Sequence, residues 1–297
     1  MKKYLVVIEK CTIAIIYFLI VTLTLTGCLF NTHPSHDEQP QSEENHRSFI
    51  INPEGLTIKE RFTPPQGFER VYTEPDTFAH YLQSLPLKAD GVRVYYYDGR
   101  VKNKAVHEAV IDIDVGERDL QQCADAIMRL RAEYLYDQKR QEEIAFHFTN
   151  GFLAEYKEWM KGRRISVQGN DVSWVSGGEA TDSYDSFRKY LDMVFAYAGT
   201  LSLSQELIPR PLEEMEIGDV FIQGGSPGHG VIVVDIAINP MTNEKIFIVA
   251  QSYMPAQDIH ILKNPEDNAL SPWYSTATNR GFHTPEWTFQ AEDLKHF

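Results

Sequence analysis

Apolar residues recur at helical spacing through the first half of this chain and bunch into short continuous runs nearer its end. Between residues 76 and 85, Phe78, Ala79, Leu82 and Leu85 share one side of a short amphipathic helix. Asp119 opens a longer one. Leu120, Cys123, Ala124, Ile127, Leu130, Tyr134 and Leu135 make its apolar face, and Asp119 followed by Gln122 has the form of a capping box. Residues 152–160 and 187–197 predict two further helices, with a glycine-containing loop at 169–178 between them and Gly199 as the stop of the last.

Other segments alternate or run apolar at strand length. Residues 92–97 are strand-like, Asp98-Gly99 signals a tight turn, and residues 109–115 alternate toward their end. Gly218-Asp219 leads into a short strand at 220–222. The loop Gly224-Gly225-Ser226-Pro227-Gly228 follows, then a buried strand at 230–234, a turn at 239–244 and a partner strand at 245–250. Helices followed by a C-terminal antiparallel sheet predict an α+β fold. The sequence has no internal repeat and no nucleotide-type glycine loop.

The first residues follow a different plan. Met1-Lys2-Lys3 is basic, an apolar core spans residues 11–25, and Leu25-Thr26-Gly27-Cys28 has the small-residue ending of a lipoprotein processing site. This predicts a signal peptide at 1–27 and a lipid on Cys28, through which the protein would hold a membrane. Leu29, rather than an aspartate, follows the cysteine. The expected location is therefore the cell envelope, at the outer membrane of a Gram-negative bacterium. Residues 28–55 read as a flexible tether because their Pro, Ser, Glu, Gln, Asn and His content cannot bury a core. Residues 56–297 remain as a single α+β domain.

Net charge and cysteine count narrow the chemistry. The formal charge is −14, and removing the basic signal makes the remainder more acidic still. Such a body argues against nucleic acid as a partner. Of the three cysteines only Cys123 belongs to the expected domain, so no internal disulfide is available there. No His, Cys, Asp and Glu set has zinc-ligand spacing; no metal and no cofactor is expected.

A cysteine in the first turn of a helix is placed for nucleophilic work, because the positive helix end and a neighbouring imidazole both favour thiolate. His229 opens the later buried strand, after a loop of low bulk. Pairing that strand with its partner about the 240–243 turn sets Gln251 and Tyr253 opposite His229, where the Gln251 amide oxygen could orient the ring. Each residue also has a plainer reading. A lone helix-face cysteine is often a small buried hydrophobe, and a strand-end glutamine often serves its own backbone. Trp174, Tyr253 and Trp273 are candidates for a substrate-binding wall, although aromatic residues more often pack in cores.

Two resemblances meet on these residues. The strings Asp119-Leu120-Gln121-Gln122-Cys123-Ala124-Asp125, Pro227-Gly228-His229 and Gln251-Ser252-Tyr253-Met254-Pro255-Ala256-Gln257 resemble an uncharacterised bacterial family, domain of unknown function 4846. More distantly, a cysteine at a helix start, Gly-Asp before a strand and a histidine opening the next strand are similar to the NlpC/P60-like branch of papain-fold cysteine hydrolases. That second resemblance implies a papain-like core over about residues 117–262 with N-terminal additions. It also implies Cys123 as nucleophile, His229 as base, Gln251 as third residue, and an amide or peptide bond, as in cell-wall peptides, as substrate. The chain departs from that branch in having Gln122 and Ala124 beside the cysteine and a long cysteine-to-histidine interval. The alternative is a non-catalytic envelope lipoprotein that binds a glycan or a protein partner.

Overall fold

The computed structural model describes residues 50–277 and 281–297. The expected signal peptide, the lipid-bearing Cys28 and the tether as far as residue 49 lie outside the described residues. Six α-helices are present among the described residues: α1 (Ile58–Arg61), α2 (Phe78–Gln83), α3 (Cys123–Asp137), α4 (Tyr156–Met160), α5 (Tyr184–Tyr197) and α6 (Thr200–Glu206). The early strands are β1 (Glu69–Arg70), β2 (His107–Val110), β3 (Ala145–His147), β4 (Leu153–Glu155), β5 (Arg163–Gln168), β6 (Asp171–Ser176) and β7 (Ile208–Pro209). The later ones are β8 (Val220–Gln223), β9 (His229–Ile238), β10 (Lys245–Gln251), β11 (His260–Leu262), β12 (Tyr274–Ser275), β13 (Phe282–His283), β14 (Thr288–Phe289) and β15 (Leu294–His296).

The main sheet is antiparallel, in the order β2-β11-β10-β9-β8-β15-β7, with β1 on β9 and β12 on β10. Its central strands are apolar at nearly every position because both faces are covered. Val231, Val233, Phe247 and Val249 pack on one side with Phe221, Phe282 and Phe289. Ile232, Val234, Ile246 and Ile248 pack on the other with Ile127 and Leu130 of α3. Each such fully buried aliphatic side chain stabilises the fold by about 1.5–3 kcal/mol.

The α+β class stands, but helices do not simply precede the sheet. β2 lies before α3, and two separate hairpins, β3-β4 and β5-β6, fall between the helices. The loop expected at 169–178 is in fact the turn and second strand of the β5-β6 hairpin. Gly169, with φ of 63°, takes the left-handed turn position, and Ile165 pairs with Trp174. The helix expected at 152–160 starts late, since Leu153 and Ala154 pair with His147 and Phe146 and only Tyr156–Met160 is helical. The Asp98-Gly99 turn forms between isolated bridges rather than long strands: Tyr95 pairs with Val101, and Gly99 has φ of 83°. Gln122, not Asp119, is the N-cap of α3, which makes Cys123 its first helical residue.

Candidate functional site

The loop before Cys123 is fixed by its own polar side chains. The Gln122 N–H donates to Asp125 Oδ2 (3.0 Å), and the Gln122 side-chain amide donates to Asp119 Oδ1 (3.1 Å). Asp119 Oδ1 also accepts the Ala256 N–H at 2.7 Å, and Ser252 Oγ donates to the Gln121 carbonyl at 2.8 Å. The helix start is thereby tied to the segment that follows β10. Asp119, expected to cap the helix, instead clamps that segment.

His229 begins β9 and is almost wholly buried. Its ring lies against Tyr253 (4.7 Å between centroids), Trp287 (5.4 Å) and Phe289 (5.9 Å). His229 Nε2 is 2.7 Å from Gln251 Oε1, the contact that strand pairing predicts, although a bulge between Ile248 and Val249 shifts the register. The Gln251 amide nitrogen donates to Glu286 Oε2 at 2.8 Å. Glu286 in turn accepts from Lys102 Nζ through both oxygens, at 2.8 and 2.9 Å. Lys102 also donates to Gln257 Oε1 at 2.9 Å. The loop that delivers His229 requires glycine. A Cβ on Gly228 would sit 2.4 Å from Thr200 Oγ1 and 2.6 Å from the Gly225 carbonyl.

Cys123 and His229 border one open cavity of about 920 Å³, together with Tyr253, Trp287 and Thr200. No hydrogen bond joins the sulfur to the ring. A smaller cavity of about 300 Å³ adjoins the first at Leu120 and Phe195, and another of about 540 Å³ adjoins it at Thr149. Among the described residues, no group of three His, Cys, Asp or Glu side chains could hold a metal ion.

The electrostatics reverse one expectation. Burial, reinforced by the Asp125 carboxyl, pushes the Cys123 thiol up to about 11. The N–H groups of Ala124, Gly230 and Cys123 itself pull the other way but are outweighed. Desolvation also pushes His229 down to about 4, against the opposing effects of Gln251 and Glu286. At neutral pH the cavity therefore holds a thiol and a neutral imidazole rather than a thiolate–imidazolium pair. Burial raises Asp125 as well, and its Oδ1 is buried without a hydrogen-bond partner.

Of the three residues expected to form a substrate wall, the structure places one at this cavity. Tyr253 lines the cavity. Trp174 stands on β6, where it packs on Phe152 (5.8 Å) and under Arg163 (5.5 Å), away from the cavity lining. Trp273 is fully buried: its Nε1 donates to the Thr63 carbonyl, and Arg70 covers its ring, so it serves the core. Trp287, Glu286 and Lys102 were not candidates from sequence. They come from turns and irregular segments without periodicity.

A family model described as "Domain of unknown function (4846)" matches residues 58–296. No curated protein and no solved structure matches the chain.

Proposed function

The chain belongs to the domain of unknown function (4846) family, and we propose that it is a cysteine hydrolase of amide or peptide bonds at the cell envelope. The observation that carries this reading is the convergence of Cys123, at the start of α3, and His229, oriented by Gln251, on one cavity. Cys123 Sγ attacks the carbonyl carbon while His229 takes the thiol proton and passes it to the leaving amine. A thioester remains, which water then hydrolyses. The Cys123 and Ala124 N–H groups have no partner within the helix and are available for the oxyanion. Because the resting thiol is protonated, His229 acts as a general base during attack rather than as half of a standing ion pair.

The neighbouring cavities, which meet the first at Leu120 and at Thr149, support an extended substrate, such as a cell-wall peptide or another envelope polymer. The lipoprotein reading of Cys28 accompanies this proposal: a lipid there would hold the domain near that polymer at the outer membrane.

The raised thiol and the missing sulfur–imidazole hydrogen bond favour a second reading, a non-catalytic lipoprotein that binds a glycan or protein partner. Peptide release from wall fragments separates the two. The hydrolase reading expects release by the full-length protein and none by Cys123→Ala. Equal binding by both proteins, with no release by either, supports the binding reading.

A further inference from the structure

Resting on the hydrolase reading, we propose that Glu286, held by Lys102, is a positioning residue that sets the Gln251 amide and so confines the proton of neutral His229 to Nε2, leaving Nδ1 as the base. The argument follows donors and acceptors along one chain of side chains. Glu286 accepts from the buried Lys102 ammonium through both carboxylate oxygens, at 2.8 and 2.9 Å, and so stands as an acceptor toward its other neighbours. The end of the Gln251 amide that faces it, 2.8 Å from Oε2, must then be NH₂.

A second group requires the same orientation. His260 Nδ1 lies 2.8 Å from the Asp258 carbonyl, which accepts only, so Nδ1 carries the His260 proton. His260 Nε2 is then a lone pair, and it faces Gln251 Nε2 at 3.4 Å. Two acceptors thus stand at one end of the Gln251 amide, and its carbonyl oxygen is forced toward His229. That oxygen accepts only, so His229 Nε2, at 2.7 Å, must be the protonated nitrogen.

Burying Lys102 and Glu286 together carries a desolvation cost, which their mutual contact and their hydrogen bonds to Gln257 and Gln251 offset. An amide left free to turn would let His229 adopt the other tautomer, in which Nδ1 is protonated and cannot take a proton from sulfur. The ion pair joins two remote parts of the chain, the segment after the Gly99 turn and the turn between β13 and β14. His229 chemistry thereby depends on both being docked.

The test is a long-range proton–nitrogen NMR correlation on full-length protein labelled at histidine nitrogens, at pH 7. The wild type is expected to show His229 as the Nε2–H tautomer and His260 as the Nδ1–H tautomer. Glu286→Leu should bring in the Nδ1–H form of His229 and slow acylation of Cys123 by at least about tenfold. Glu286→Gln, whose amide oxygen can still accept from Gln251, should keep most of both signals. Should Glu286→Leu not fold, the double variant Lys102→Met with Glu286→Met replaces the ion pair by apolar groups and reads the same change. An Nδ1–H tautomer of His229 in the wild type, or a tautomer unmoved in Glu286→Leu or in the double variant, overturns the proposal. The tautomer is read without turnover. The expected tautomers with no hydrolysis would therefore count against the hydrolase reading alone, and hydrolysis with an unmoved tautomer against the positioning role alone.

Discussion

Gln251 bridges His229 and Glu286: its amide oxygen is 2.7 Å from the imidazole Nε2 and its amide nitrogen 2.8 Å from the carboxylate. Replacing it with leucine strands the buried His229 ring N–H and the buried His260 Nε2 at once, while Glu286 keeps Lys102. Each unsatisfied group costs about 1–3 kcal/mol, so Gln251→Leu is expected to lose about 2–4 kcal/mol of unfolding free energy, read by denaturant titration. A loss below about 0.5 kcal/mol, within the range of ordinary surface substitutions, would show that the bridge is incidental.

Cys123 reactivity should follow its burial. With the thiol at about 11, alkylation at pH 7 is expected to be slower than that of free cysteine and to climb steadily as pH rises. Asp125→Asn removes the carboxyl that works with burial against the thiolate, while its amide oxygen can still accept the Gln122 N–H. That variant should react several-fold faster at pH 8. A wild-type rate that plateaus below pH 7 would contradict the neutral resting pair.

Acid stability carries contributions of opposite sign. His229, at about 4, and His260, at about 3, lie below their unfolded value, so the unfolded chain binds more protons and stability falls as pH drops from about 6.5. Asp219 is raised by burial to about 6, so the native state binds more protons, and its contribution is lost as pH rises through that value. Asp125 and Asp235 share the sign of Asp219. Asp219→Asn should therefore steepen the acid loss. Between pH 7 and pH 4 the difference between wild type and variant should change by about 2–3 kcal/mol, measured by denaturant midpoints at each pH. Parallel curves would contradict the assignment.

Asp235 lies on β9 with His229 but works elsewhere. It accepts from Arg70 Nε (2.9 Å), Gln83 Nε2 (2.7 Å) and the Ile236 N–H (3.0 Å), and it is fully buried. Arg70→Leu removes one partner and should cost about 3–5 kcal/mol. The pH profile of Cys123 alkylation should stay unchanged, because this cluster ties β1 and α2 to the sheet rather than serving the cavity. A shifted profile would show coupling that the contacts do not provide.

Much of the site was legible in the sequence because its parts stand at element ends. Cys123 begins α3, His229 begins β9, and simple strand pairing brings Gln251 to the ring. Elements that lack a strong period were not. The β5-β6 hairpin read as a loop because Gly169, Asn170 and the 177–178 glycines dominate it, while Val167, Val172 and Trp174 are only partly buried. Trp273 is a candidate for the substrate wall on residue type alone, yet the core claims it. Glu286 and Trp287 reach His229 only through tertiary docking of a short hairpin, which no local pattern announces. The thiol's direction also depended on tertiary structure: the helix end favours thiolate, but burial, invisible along the chain, prevails.

The central claim is that Cys123 becomes acylated with His229 as its base. The most direct measurement is intact mass of the full-length protein after incubation with an activated acyl-peptide ester. The account predicts a single acyl adduct on Cys123, absent in Cys123→Ala and slowed at least about a hundredfold in His229→Ala. An adduct that forms equally fast without His229, or a wild type that never acquires one, would contradict it.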